Sequence, residues 1–180
     1  MKYVILDRDG VINEDSDAYI KSVAEWKPIP GSLEAIARLC QAGWRVLVAS
    51  NQSAIGRGLM DYDALFAIHD RIQRALAELG GRVDAISFAP ETPDQPSLMR
   101  KPKPGMLLDL GKRLNLSLEG VPVVGDSLRD IEAARAAKAR PILVRTGNGQ
   151  RTQQEHAKEL AGVAVFDDLA AVAADLLSVS

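Results

Sequence analysis

The chain has 180 residues, 47% of them apolar and 26% charged, a balance that suits one globular domain with a core of its own and leaves no room for a second. Its 22 Lys and Arg against 24 Asp and Glu give a formal charge of -2 with both signs dispersed, which predicts neither a nucleic acid nor a membrane surface as partner and leaves a small soluble ligand. The single cysteine, Cys40, excludes an intrachain disulfide framework and any multi-cysteine metal site.

Taken in chain order, a strand is predicted at YVIL from Tyr3, with no basic-then-apolar leader before it and no apolar run of membrane-spanning length after it, so a cytoplasmic protein is expected. A helix follows with Leu33, Ile36, Ala37 and Cys40 on one face, Ser32 as its expected cap and Gly43 as its stop, and then a strand, RVLVAS, ending at Ser50. Leu65, Ile68, Ile72, Leu76 and Leu79 define another helix, closed by Gly80 and Gly81. Strands are expected at Ala85 to Phe88, Val121 to Val124, Pro141 to Val144 and Val163 to Phe166, before a last helix from Leu169 to Leu177. Repeated strand and helix units imply an α/β fold, a doubly wound parallel sheet covered on both faces. From Ala89 to Gly105 five prolines interrupt the rhythm, which predicts an ordered loop or flap.

Asp7 and Asp9 stand two apart where the first strand ends, so both carboxylates face one side while Arg8 points away, and Gly10 frees the backbone to turn. Other strand ends supply Ser50, Asn51 and Gln52, then Gly125, Asp126 and Asp130, with Lys101 in the proline-rich loop. Singly these read as turns, caps and a solvated charge; together, at successive strand ends where such sheets bind ligands, they point to a phosphate site. Magnesium prefers oxygen ligands, and Asp7, Asp126, a backbone carbonyl, a phosphate oxygen and waters complete its octahedron. Lys101 and the Ser50 hydroxyl would hold the equatorial phosphate oxygens while Asp7 attacks phosphorus. Asp9, kept protonated by its like-charged neighbour, would serve as general acid and then as general base.

The four stretches LDRDG, SNQ, the lysine of RKPKPGM, and GDSLRD resemble the haloacid dehalogenase superfamily of phosphohydrolases over nearly the whole chain. Through LDRDGVIN, SNQSAIGRG, RKPKPGMLLDL and LVRTGNG the chain looks most like the D-glycero-D-manno-heptose-1,7-bisphosphate 7-phosphatases. That resemblance implies a Rossmann-like phosphatase domain over 1–180 without a large cap, with the loop at 89–105 beside the site. It implies Asp7 as nucleophile and Asp9 as acid and base. Asp7, the Asp9 carbonyl and Asp126 would bind Mg2+, with Asp130 supporting them from behind. Ser50 and Lys101 would stabilise the phosphoryl group, Arg100 would recognise the substrate, and Asp15, Ser16, Asp17, Tyr19, Asn51, Gln52 and Ser53 would line the entrance. The implied activity is removal of the 7-phosphate on the way to nucleotide-activated heptose for lipopolysaccharide core or surface glycans.

One departure is plain. Relatives usually carry a zinc-binding cysteine and histidine cluster in the loop, whereas FAPETPDQPSLMRKPKPGM has neither residue, so no zinc is expected and prolines would stiffen the loop instead. His69, at the edge of an apolar helix face, and His156, in a charged segment, are assigned no role, and Trp26 and Trp44 read as packing residues. The nearest rival is a histidinol-phosphate phosphatase. A phosphoaspartate receiver is disfavoured by the DxD spacing, and a non-catalytic sugar-phosphate binding module by the full set of chemical groups. With no long apolar seam, a monomer is expected.

Overall fold

The protein is described by a computed structural model over residues 1–179. Strands and helices alternate: β1 (Lys2–Leu6), α1 (Ser32–Gln41), β2 (Trp44–Asn51), α2 (Ser53–Gly56), α3 (Tyr62–Glu78), β3 (Ala85–Ala89), α4 (Gly105–Arg113), β4 (Pro122–Gly125), α5 (Leu128–Ala136), β5 (Arg140–Val144), α6 (Gly149–Glu155), β6 (Ala164–Phe166) and α7 (Leu169–Ser178). Among the described residues the strands form one parallel sheet in the order β3-β2-β1-β4-β5-β6. This is the doubly wound, Rossmann-like architecture expected. No helix among these residues is long and apolar enough to cross a membrane.

The central strands are apolar along their length because both faces are covered. In β1, Val4 and Leu6 enter one core while Ile5 enters the other, and in β2 Val46 and Val48 part from Leu47 and Ala49 in the same way. The first core is closed by Leu33, Ile36 and Leu39 of α1, Ile68, Ile72 and Leu76 of α3, and Val172 and Leu176 of α7. The second is closed by Met106, Leu107 and Leu110 of α4 and the small face Ala133, Ala134 and Ala137 of α5. Trp26 and Trp44 are buried, with Arg71 and Lys2 respectively over their rings, as packing residues should be.

One local expectation is corrected. The cap of α1 is Gly31, at φ 84, and not Ser32, whose hydroxyl is turned inward to donate to the Val11 carbonyl at 2.7 Å and ties the helix start to the loop after β1. Cys40 is half-buried, its Sγ 3.3 Å from the Arg82 carbonyl. The helix over residues 62–78 stops as its sequence suggests, with Gly80 at φ 76 just past the end, and at its start Asp61 accepts from the Ala64 N–H.

The proline-rich segment is held by its own polar groups. Gln52 and Gly56 N–H groups donate to the Ala89 and Pro90 carbonyls, Thr92 N–H donates to Gln95 Oε1, and the Met99 and Arg100 N–H groups reach Ser97 Oγ. Gly105 N–H closes the loop on the Leu98 carbonyl. The loop therefore returns to the sheet with Arg100 and Lys101 beside the carboxyl end of β2.

Candidate active site

Sheet order reverses between β1 and β4, so the chain leaves these adjacent strands in opposite directions and opens a crevice at their carboxyl ends. Asp7 follows β1, its N–H donating to the Val124 carbonyl at 2.9 Å, and Asp126 follows β4 directly. Ser50 and Asn51 end β2 on the other side. A cleft of about 290 Å³ lies over these ends. It is lined by Asp7, Asp9, Asp15, Ser16, Asp17, Tyr19, Asn51, Gln52, Ser53, Arg100, Lys101, Asp126 and Asp130, and so brings together nearly every residue singled out from the sequence. Ser50 lies just behind the lining, 1% exposed, its Oγ accepting from Gln52 Nε2 at 2.8 Å.

Lys101, 4% exposed, is the cationic centre of the site. Its Nζ lies 2.7 Å from Asp130 Oδ1, 3.0 Å from Asp7 Oδ1 and 2.8 Å from the Ala49 carbonyl. Burial works against its charge, but the carboxylates of Asp130 and Asp7 outweigh it and hold its pKa above that of an ordinary lysine. For Asp130 the balance is the mirror image: burial raises it, and Lys101 with the Ser127 donors brings it below the usual range. Asp130 uses its other oxygen, Oδ2, to accept from Ser127 N–H and Oγ in the capping box of α5.

The remaining carboxylates are under-compensated. Burial pushes Asp7 well above the usual carboxylate range, reinforced by Asp130, Asp126 and Asp9 against the pull of Lys101. Burial and then Asp130 push Asp126 up to about 7. Oxygens of Asp7, Asp126 and Asp130 lie within 4.8 Å of one another. One lysine cannot neutralise that group, and an all-oxygen cluster with residual negative charge is the donor set a hard divalent cation takes. The backbone makes room for it: at Gly10, φ 82, a Cβ would fall 2.1 Å from Asp126 Oδ2, and at Gly147, φ 57, 2.3 Å from the same oxygen.

Asp9 is placed differently from Asp7. Its Oδ1 accepts from Arg8 Nε at 3.1 Å, Arg8 Nη2 at 2.7 Å and Asn13 Nδ2 at 2.9 Å, and its Oδ2 accepts from Gln52 Nε2 at 2.9 Å. Arg8 leaves the cleft as the strand alternation requires, yet its guanidinium folds back to Asp9. Asp9 therefore sits within a shell of hydrogen-bond donors.

Several site residues went unread in the sequence. Thr146 Oγ1 donates to the Gly10 carbonyl at 2.7 Å, Asn148 N–H donates to Asp126 Oδ2 at 2.8 Å, and Asn148 Nδ2 reaches Asp15 Oδ2 at 2.9 Å. The string LVRTGNG, used above only for its likeness to a family, is thus a strap that ties Asp126 to the loop after β1. Arg129 and Arg151 also line the cleft. Arg100 donates from Nη1 to the Glu91 carbonyl at 3.1 Å, and its pKa is lowered by burial and by the neighbouring guanidiniums of Arg129 and Arg57. For Arg129 and Arg57 the signal was available, since these arginines stand within the strings GDSLRD and SNQSAIGRG.

Comparison with known proteins agrees with this layout. A family model described as HAD-hydrolase-like matches residues 98–172. The chain is 55% identical over 177 residues to the D-glycero-beta-D-manno-heptose-1,7-bisphosphate 7-phosphatase of Bordetella bronchiseptica, covering 98% of each chain. It belongs to the heptose-bisphosphate phosphatase family of haloacid dehalogenase-like hydrolases. The Pseudomonas aeruginosa family member is likewise 55% identical, over 97% of each chain. The D,D-heptose 1,7-bisphosphate phosphatase of B. bronchiseptica, solved in complex with magnesium and phosphate, superposes with a TM-score of 0.97 at 54% identity over 100% of both chains. The family's Burkholderia thailandensis structure gives 0.76 at 44% identity over 99% of both.

Proposed function

We propose that this protein is a magnesium-dependent phosphatase that removes the 7-phosphate of D-glycero-β-D-manno-heptose 1,7-bisphosphate through an aspartyl-phosphate intermediate. The observation that carries the reading is the Asp7 carboxylate at the switch point of the sheet, open to the cleft, with Lys101 Nζ at 3.0 Å and the carboxylates of Asp126 and Asp130 close by. The substrate is taken from relatives at 55% identity that carry this name over nearly their whole length.

Asp7, Asp126 and the Asp9 carbonyl would hold magnesium, with Asp130 anchoring Lys101 behind them. When bound, the ion neutralises the carboxylates and draws charge from the phosphoryl oxygens. Asp7 attacks phosphorus in line, while Lys101 and Ser50 hold the phosphoryl group. Asp9 gives its proton to the departing sugar oxygen and takes one back from the water that hydrolyses the aspartyl phosphate. Arg100 and Arg129 both line the cleft, with Arg57 close enough to act on Arg100, and guanidiniums so placed suit the second phosphate of a bisphosphate. Asp15, Asp17 and Asn148, also in the lining, offer acceptors and a donor for sugar hydroxyls.

The same reading makes residues 1–180 a single phosphatase domain whose flap at 89–105 stands without zinc, since the loop is tied by Thr92, Gln95, Ser97 and backbone groups. It acts on a small sugar phosphate as a cytoplasmic monomer, with no nucleic acid or membrane partner. Incubation with a panel of phosphate monoesters and magnesium, read as free phosphate, tests the substrate. Preference for the heptose bisphosphate supports the reading, preference for histidinol phosphate replaces the substrate, and no release with any ester refutes the enzyme. Stoichiometric zinc by elemental analysis would refute the zinc-free flap.

A further inference from the structure

The mechanism above gives Arg8 nothing to do, yet Arg8 heads the largest fully buried side chains, 1% exposed. A guanidinium removed from water is costly unless its donors are used. Here Nε and Nη2 are both aimed at one atom, Asp9 Oδ1, at 3.1 and 2.7 Å, while Nη1 is buried with no partner. Asn13, itself fully buried, brings Nδ2 to the same oxygen at 2.9 Å. A carboxylate oxygen has about two lone-pair sites, so three donors fill Oδ1. Asp9 Oδ2 has one donor, Gln52 Nε2 at 2.9 Å, which is itself placed by Ser50 Oγ at 2.8 Å, and the Asp9 side chain retains 21% exposure where it lines the cleft.

We propose that Arg8 is a positioning residue for proton transfer: by filling Oδ1 together with Asn13, it fixes the Asp9 carboxyl plane and leaves Oδ2 as the oxygen that exchanges the proton with the leaving group. The step balances. A bond forms between Asp7 and phosphorus as the ester P–O bond breaks, and the proton on Asp9 Oδ2 passes to the departing oxygen, leaving Asp9 as a carboxylate. In the second step the same Oδ2 takes a proton from the attacking water as the water oxygen bonds to phosphorus and the Asp7–phosphorus bond breaks, releasing phosphate and restoring both carboxyls.

This inference rests on the phosphatase reading, and the test separates the two. First-turnover rates are measured with magnesium for the sugar phosphate the wild type handles best and for p-nitrophenyl phosphate, whose leaving group departs without help from an acid. In Arg8→Met the aryl-to-sugar rate ratio should rise at least about tenfold, within the range general acid catalysis commands, with Arg8→Lys intermediate because its ammonium restores a donor to Oδ1. The ratio does not depend on the fraction of enzyme folded, and should Arg8→Met fail to fold, Arg8→Lys decides alone. An equal fall in both rates, or an unchanged ratio, overturns the proposal and leaves Arg8 a structural ion pair. A wild type inactive on both esters refutes the phosphatase reading instead.

Discussion

The side-chain amide of Asn51 closes a two-bond ring with the backbone of Lys101: Oδ1 accepts the Lys101 N–H and Nδ2 donates to the Lys101 carbonyl, both at 3.0 Å. Asn51 lines the entrance as its position in the sequence suggests, but its polar atoms are committed to the flap. Asn51→Ala should therefore lower kcat roughly 10- to 100-fold through misplacement of Lys101, with a smaller change in KM. Asn51→Asp keeps the acceptor, loses the donor and should fall between. Steady-state kinetics on the preferred ester check both.

Asp7→Asn removes the proposed nucleophile while preserving shape. Turnover should drop at least roughly 10,000-fold, the scale seen when a group acting in a catalytic unit is lost. Acid-quenched enzyme should carry labelled phosphate in the wild type and none in the variant.

Asp130 has two tasks, one per oxygen, and its removal should be felt in stability as well as rate. Asp130→Ala strips Lys101 of its 2.7 Å partner and α5 of its capping box, leaving a buried ammonium paired with Asp7 only. A loss of about 3 kcal/mol is expected in urea unfolding. Asp130→Asn, which retains an acceptor, should lose less.

If the carboxylate cluster takes magnesium as proposed, the ion must displace a proton, because Asp126 is pushed up to about 7. Apparent affinity should rise with pH through about 7, and binding at pH 6 should release protons. Calorimetry in two buffers of different ionisation enthalpy measures that release, and Asp126→Asn should reduce the release and abolish most of the affinity.

His69 packs among Phe66 and Phe88, its Nε2 buried without a partner, and burial, with the charge of Arg8, lowers its pKa from 6.5 to about 4. Between those values the unfolded chain binds the proton and the folded chain does not, so this contribution is complete above pH 6.5 and is lost as pH falls toward 4. Because the ring is partly exposed, about 1–2 kcal/mol is at stake. Asp126 acts oppositely when metal is chelated: its folded pKa is raised, so its contribution fades as pH rises from 3.8 to about 7. Comparing His69→Leu with wild type in saturating magnesium, by urea midpoint at pH 7 and 5, isolates the histidine: the variant should lose less stability on acidification.

Much of this was legible in the chain because strand ends announce themselves. β1, β2 and β4 are apolar runs that stop at Asp7, Asn51 and Asp126, so the positions of the site residues follow once the sheet is inferred. The helices α4, α5 and α6 were not legible: GMLLDLGKR is short and follows prolines, LRDIEAARA presents alanines where a stripe of large residues was sought, and GQRTQQE is almost wholly polar. The strap from Thr146 to Asn148 was hidden for a different reason, since its hydrogen bonds join residues 136 positions apart to the loop after β1 and have no local signature. Arg8 was read from strand alternation as a residue facing away, and alternation says nothing about where a long side chain ends.

The late-arriving strap also bears on synthesis. β1 is translated early, yet its neighbour β4 begins at residue 122 and the residues that brace its terminal loop lie at 146–148. At ribosomal speeds of about 5–20 residues per second, the wholly buried Val4, Ile5 and Leu6 wait several seconds with one flank unpaired. A nascent chain cut short before β4 thus presents an apolar strand edge suited to pairing with another copy, so incomplete chains of this enzyme are aggregation-prone even though the finished molecule keeps that strand at the centre of its sheet.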